Sequence, residues 1–143
     1  MIAQTLTTSF KTQLLTATHN FTASTGDTFY MALYLSTASL GASTTVYTDT
    51  GEISGTGYSA GGIALTAVTP TSSGTTAFTS FSAATFTGVV STVIAGALIY
   101  NSSKSNKSVA VLDFGGLKIS SVANPLVITF PTASATTAII RFP

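Results

Sequence analysis

β-branched and aromatic residues separated by polar turn formers run along most of the chain, and this pattern predicts strands. The clearest case is Thr28 to Ser36, where Phe29, Met31, Leu33 and Leu35 fall on one face and Tyr30, Ala32 and Tyr34 on the other. Both faces are apolar, so the segment reads as a central strand buried on both sides. Further strands are expected at Gly62–Val68, Thr76–Phe81, Ala84–Gly88, Val93–Tyr100, Ser108–Phe114, Leu126–Phe130 and Thr137–Phe142. Turn formers separate them at Gly26-Asp27, Pro70–Gly74, Asn101–Asn106, Gly115-Gly116, Asn124-Pro125 and Pro131–Ser134.

One segment breaks this rhythm. Between residues 9 and 20, and just beyond, Phe10, Leu14, Ala17 and Phe21 recur near i, i+4, i+7 and i+11, which predicts a short amphipathic helix with Ser9 as its N-cap. Thr12, Thr16 and Thr18 lower its propensity, so packing must hold it. Residues 37–58 show no period and carry four glycines, a long loop expected to be functional or to hold order of its own. About eight short strands with regular turn signals predict an all-β, single-domain antiparallel β-sandwich over residues 1–143, jelly-roll-like, with one N-terminal helix. Residues 1–9 are uncharged and strand-like. They read either as an extended assembly arm anchored by Ile2 and Leu6 or as a frayed terminus.

Charge changes the picture most. Only 6% of the 143 residues are Asp, Glu, Lys or Arg, the net charge is +1, and the mean hydropathy is +0.51. Ordinary soluble domains carry roughly 25%. A free monomer with so little charge has little to oppose self-association, so much of its surface is expected to be covered by other subunits. Five scattered cations make no basic stripe, which excludes a nucleic-acid partner. The most apolar run, Val89 to Tyr100, is broken by Ser91, Thr92 and Gly96 and is too short to span a bilayer, so no membrane partner is expected. The N-terminus shows no signal-peptide pattern, which points to assembly in the cytoplasm. The absence of cysteine excludes a thiolate nucleophile, zinc-thiolate sites and a disulfide framework.

Candidate chemistry is sparse. His19 is the sole histidine, and a triad could be written with Asp27, but a histidine near a helix end is more often a cap or a packed side chain. Asp49 and Glu52 could hold a calcium ion with loop carbonyls; two solvated loop acids are the stronger reading. Asp113 reads as a turn-initiating residue. The glycines at 55, 57, 61 and 62 are followed by a strand pattern rather than a helix, so they serve turns and not a phosphate. Tyr47 and Tyr58 flank Asp49 and Glu52, the one aromatic–acid constellation that would suit a sugar. Lys104 and Lys107 lie in a predicted hairpin turn, either solvated or contacting an acidic neighbour. No cofactor or metal is expected, and the chain reads as non-enzymatic.

Three stretches carry a resemblance. FYMALYLSTASLGASTTVYTDTGEISGTGYSAGG (29–62), GALIYNSSKSNKSVAVLDFGG (96–116) and TAIIRFP (137–143), with SFKTQLL and HNF near the start, resemble a family of small tailed-bacteriophage virion structural proteins. Two positions depart from its pattern. Ile94-Ala95 stands where the family more often has a charged or polar residue, and the Gly115-Gly116-Leu117-Lys118 turn lacks the acidic residue expected there; both changes are expected to make the surface more apolar. The resemblance implies a particle component of the capsid decoration (cement) type, located on the capsid surface. Its expected partners are the major capsid protein and further copies of itself, as a homo-oligomer such as a trimer. The alternatives are a head–tail, tail-tube or fibre-base protein and, behind them, a jelly-roll carbohydrate-binding module. The candidate assembly contacts are Ile2, Leu6, Tyr47, Asp49, Glu52, Tyr58, Lys104 and Lys107.

Overall fold

A computed structural model describes all residues, Met1–Pro143. The strands are β1 (Thr5–Leu6), β2 (Phe29–Tyr34), β3 (Ile63–Leu65), β4 (Thr71–Ser73), β5 (Thr76–Thr79), β6 (Ala84–Phe86), β7 (Ser91–Asn101), β8 (Lys107–Ser120), β9 (Leu126–Ile128) and β10 (Ile140–Phe142), with one helix, α1 (Thr8–Leu15). They form three antiparallel sheets: β1-β8-β7-β2-β3, β10-β5-β4 and β6-β9. The fold is therefore all-β and sandwich-like with a short helix. Its ten strands are divided five, three and two, where about eight in two sheets were expected.

The five-stranded sheet is the middle layer. Phe29, Met31 and Leu33 of β2 face a large core shared with α1 and the two small sheets. Phe21 stacks on Phe29 at 4.4 Å, and Phe29, Phe81 and Phe130 continue the aromatic chain at 5.6 and 5.4 Å. Fully burying one such side chain contributes roughly 1.5–3 kcal/mol. Ala32 and Tyr34 face a second, smaller core with Leu98, Tyr100, Val111, Leu40 and Ile2. Here the cover is the long segment after β2, which lies along the sheet through backbone bonds from Tyr47 N to Asn106 O and from Ser108 N to Thr45 O. The expectation that β2 is buried on both sides holds, and the long loop is the second lid.

β7 and β8 form the dominant hairpin, closed by a short 3₁₀ turn over Ser102–Lys104 and by Ser105 and Asn106, both left-handed. Near the turn the register slips from Ile99↔Ala110 to Tyr100↔Ser108, so Val109 is an extra residue. This bulge lets Val109 and Ala110, neighbours in sequence, both enter the large core. Farther out the register moves from Gly96↔Asp113 to Ile94↔Lys118. Residues 114–117 thus stand opposite Ala95 alone, and Gly115-Gly116, expected to be a turn between strands, is a bulge within β8. Gly96 is required at this crossing, because a Cβ there would lie 2.4 Å from Leu112 O and 2.9 Å from Ile2 Cδ1.

Three local expectations are corrected. The helix begins at Thr8 with Thr7 as N-cap, its hydroxyl accepting from Phe10 N, and it stops at Leu15 rather than running to Asn20. Ala17, in the left-handed region at φ 53°, closes it: Ala17 N donates to Leu14 O and Thr18 N to Gln13 O. Residues 71–73, placed in a turn by their composition, form β4. Finally, residues 1–9 neither fray nor extend away. Met1 and Ala3 bond to Leu40, and Thr5 and Leu6 pair with Val111 and Ala110 of β8 in the same chain. The edge that a partner's sheet might have offered is supplied in cis.

Candidate functional site

Four of the five tyrosines, Tyr30, Tyr34, Tyr47 and Tyr100, gather over the second face of the middle sheet, and Tyr58, packed against the large core, brings its hydroxyl to the same place. β2 presents Tyr30 and Tyr34, and the strand register sets Tyr100 of β7 opposite Tyr30. The long loop lays Tyr47 on Tyr100, with centroids 4.8 Å apart, and Tyr30 stacks on the same ring at 5.9 Å. Glu52 sits among them. Tyr47 Oη donates to its Oε2 at 2.6 Å, Tyr58 Oη to its Oε1 at 2.6 Å, and Gly61 N to Oε1 at 2.8 Å. Leu33 N donates to Tyr58 Oη, and Tyr100 Oη donates to Gly61 O. Tyr34 Oη donates to Thr48 O. The network fastens residues 47–61 to the sheet before β3 begins. Gly62 then turns into β3 at φ 77°, so close to Met31 O that no side chain fits.

The hydroxyls of Tyr34, Tyr47, Tyr58 and Tyr100 are held in their protonated form. Burial is the first cause throughout, pushing Tyr100 up to about 12, and the charge of Glu52 adds to it. Tyr34, Tyr47 and Tyr58 are raised further, by burial and then by Glu52, which acts on Tyr47 and Tyr58 through their direct hydrogen bonds. The constellation Tyr47–Glu52–Tyr58 is real, but its hydroxyls point inward. Glu52 is neither a solvated loop acid nor a free ligand, because three donors already occupy it. Asp49 is exposed, as expected of a loop acid, and nowhere do three or more acidic, histidine or cysteine side chains gather as a metal site would need.

The other expected contacts separate. Ile2 is buried in the second core, and Leu6 packs against the first. Lys104 pairs with Asp27 at 3.6 Å, so its partner is internal rather than an acidic neighbour. Lys107 is half-buried opposite Asn101. His19 and Asp27 are separated by the amide of Asn101, and both histidine nitrogens are engaged by Gln13 and Asn101, which leaves no place for a serine nucleophile.

The surface that sequence reasoning missed lies at the far end of the β7–β8 hairpin. Val93, Leu117 and Ile119 are exposed there, with Ile119 at 70%. Across residues 84–98 and 112–130 the only charges are Asp113 and Lys118. A cleft beside the bulge is lined by Met1, Ile2, Ala95, Asp113 and Leu117. Of the two departures from the phage pattern, Leu117 does enlarge the exposed apolar surface, whereas Ile94 is fully buried and adds nothing to it. Leu117 was the one available signal.

Compared with protein-family models, curated proteins and solved structures, the chain matches none.

Proposed function

We propose that this chain is a structural, non-catalytic component of a tailed-phage virion: a capsid decoration (cement) protein that binds the shell of the major capsid protein and stabilises it. It assembles in the host cytoplasm and resides on the capsid surface, associating with further copies of itself. The observation that carries this reading is the apolar, almost uncharged end of the hairpin, where Val93, Leu117 and Ile119 stand exposed. Monomers rarely leave such side chains grouped in the open, and a grouped patch is the usual mark of a protein–protein contact. The scarcity of charge over the whole chain supports it.

A head–tail, tail-tube or fibre-base role would use the same surface, and position in the particle separates these roles from cement. The carbohydrate-binding alternative loses its support, because Tyr47 and Tyr58 spend their hydroxyls on Glu52. The deciding experiment is a cryo-EM map of the purified particle with the copies of this chain counted. Many copies across the shell at capsid-subunit junctions, seated through Leu117 and Ile119, would bear out cement. A few copies at one vertex or along the tail would overturn it.

A further inference from the structure

After α1 the chain runs back across the end of β7 before entering β2, and four side chains, of Gln13, His19, Asn101 and Asp27, meet there. His19 Nε2 lies 2.8 Å from Gln13 Oε1 of α1. His19 Nδ1 lies 3.0 Å from Asn101 Nδ2. The same amide nitrogen donates its second proton to Asp27 Oδ2 at 2.8 Å, which also accepts from Asn20 N. An amide nitrogen only donates and an amide oxygen only accepts, so His19 must be neutral, with its proton on Nε2. Asn101 is fully buried, and its own carbonyl oxygen, Oδ1, has no hydrogen-bond partner. Two acceptors, a neutral imidazole and an ionised carboxylate, hold the amide in this orientation at the expense of its oxygen.

We infer that His19, Asn101 and Asp27 form an acid-sensitive latch that fastens α1 and the return segment, residues 16–27, to the end of β7. A proton on His19 puts an N–H on Nδ1, directed at the N–H of Asn101. A half-turn of the amide would offer Oδ1 instead. That half-turn sets Oδ1 against Asp27 Oδ2, acceptor against acceptor, and moves the NH₂ group to where Oδ1 now finds no partner. Neither orientation serves a charged histidine, so acid opens the latch.

The charged groups facing His19 are Asp27 before β2, Lys104 in the 3₁₀ turn and Lys107 at the start of β8. Phe10 of α1 and Phe21 supply its apolar walls, with centroids at 5.0 and 6.4 Å. Burial lowers the affinity of His19 for a proton, Asp27 opposes this, and the two lysines add to it. The folded chain therefore takes the proton less readily than the unfolded chain. The stability that the latch contributes is complete above pH 6.5 and is lost as the pH falls toward the lowered value. At Asp27 burial works the other way, but the bonds from Asn20 and Asn101 and the charge of Lys104 outweigh it and hold the carboxyl below 3.8. Its contribution is lost only under stronger acid.

Hydrogen exchange on the full chain tests this at about pH 7.5 and about pH 5, on either side of histidine's range. Protection of residues 10–27, corrected for intrinsic rates, should fall by about tenfold or more at the lower pH, while β2 and the buried half of β7 keep theirs. His19→Gln can still accept from Asn101 and donate to Gln13 but takes up no proton, and it should keep full protection at both values. Unchanged protection in the wild type, or the same fall in His19→Gln, overturns the latch. Should that variant fail to fold, nitrogen-15 NMR of wild-type His19 decides. A protonated Nε2 with an unprotonated Nδ1 at neutral pH, titrating below 6.5 together with the Asn101 side-chain amide, is the expected result. An ordinary imidazole titration that leaves Asn101 unmoved overturns the inference.

Discussion

The two halves of the β7–β8 hairpin both carry apolar residues on the second face of the sheet, and only one half has that face covered. Close to the turn, Ala97, Leu98, Ile99, Val109 and Val111 are buried, some by the large core and some by the tyrosine layer. At the far end, Val93, Leu117 and Ile119 project into the open from the same two strands. The difference lies in what covers each half. Residues 37–61 and the N-terminal segment reach across the near half and stop short of the far half, where the strands bulge and the register breaks. Burial in this protein is decided by neighbours distant in sequence, and an uncovered half of the same strand pair becomes a surface that another molecule can complete.

Substitutions can sharpen or break that contrast. The largest effect is expected in the near half: Leu98→Ala, at a fully buried position, should cost about 2–5 kcal/mol in urea unfolding. A cost below 1 kcal/mol would mean that the second core is loosely packed and that the contrast is weaker than the geometry implies. Next comes the cover itself. Glu52→Ala leaves the hydroxyl of Tyr47 and the amide of Gly61 without their acceptor, and should cost about 2 kcal/mol. It should also raise proteolytic cleavage within residues 37–58 while leaving the β7–β8 turn protected.

Alkaline pH probes the same cover without mutation. The hydroxyls of Tyr34, Tyr47, Tyr58 and Tyr100 ionise less readily in the fold than at their ordinary value of 10. Their contribution is therefore present in full below pH 10 and is lost as the pH rises through the raised values, from about 12 for Tyr100 upward. Ultraviolet titration should show most phenolates appearing late and together with unfolding; a smooth transition at 10 in a folded chain would contradict the buried network. The smallest effect on stability is expected in the far half. Leu117→Asp and Ile119→Lys should change unfolding free energy by no more than about 0.5 kcal/mol. If the far half is the assembly surface, the same variants should fail to be retained on purified particles. Full retention would move the contact elsewhere.

The fold was legible where periodicity was local. The alternation of β2 correctly predicted both buried faces, and the two strands of the main hairpin stand close to where their β-branched runs place them. The helix end was illegible because Ala17 fills a left-handed position that usually carries glycine. The pairing of Thr5 and Leu6 with β8 could not be read, since nothing in nine uncharged residues says whose edge they will meet. At the site, Tyr47, Glu52 and Tyr58 were visible as a group, but their inward direction depends on where the loop lies over β2. Leu117 and Ile119 follow the Gly115-Gly116 expected as a turn, outside any predicted strand, and their exposure depends on where the covering segments stop.

The cis pairing of the N-terminal strand also sets an order of events in time. Thr5 meets Val111, so during synthesis the first strand waits for most of the chain to be made, roughly 5–20 s at ordinary elongation rates. The turn between β7 and β8 is local and needs no such delay. The first strand is therefore unpaired in the emerging chain until β8 has been made. A crowded ribosome cluster making this protein is where two chains would most readily exchange that strand.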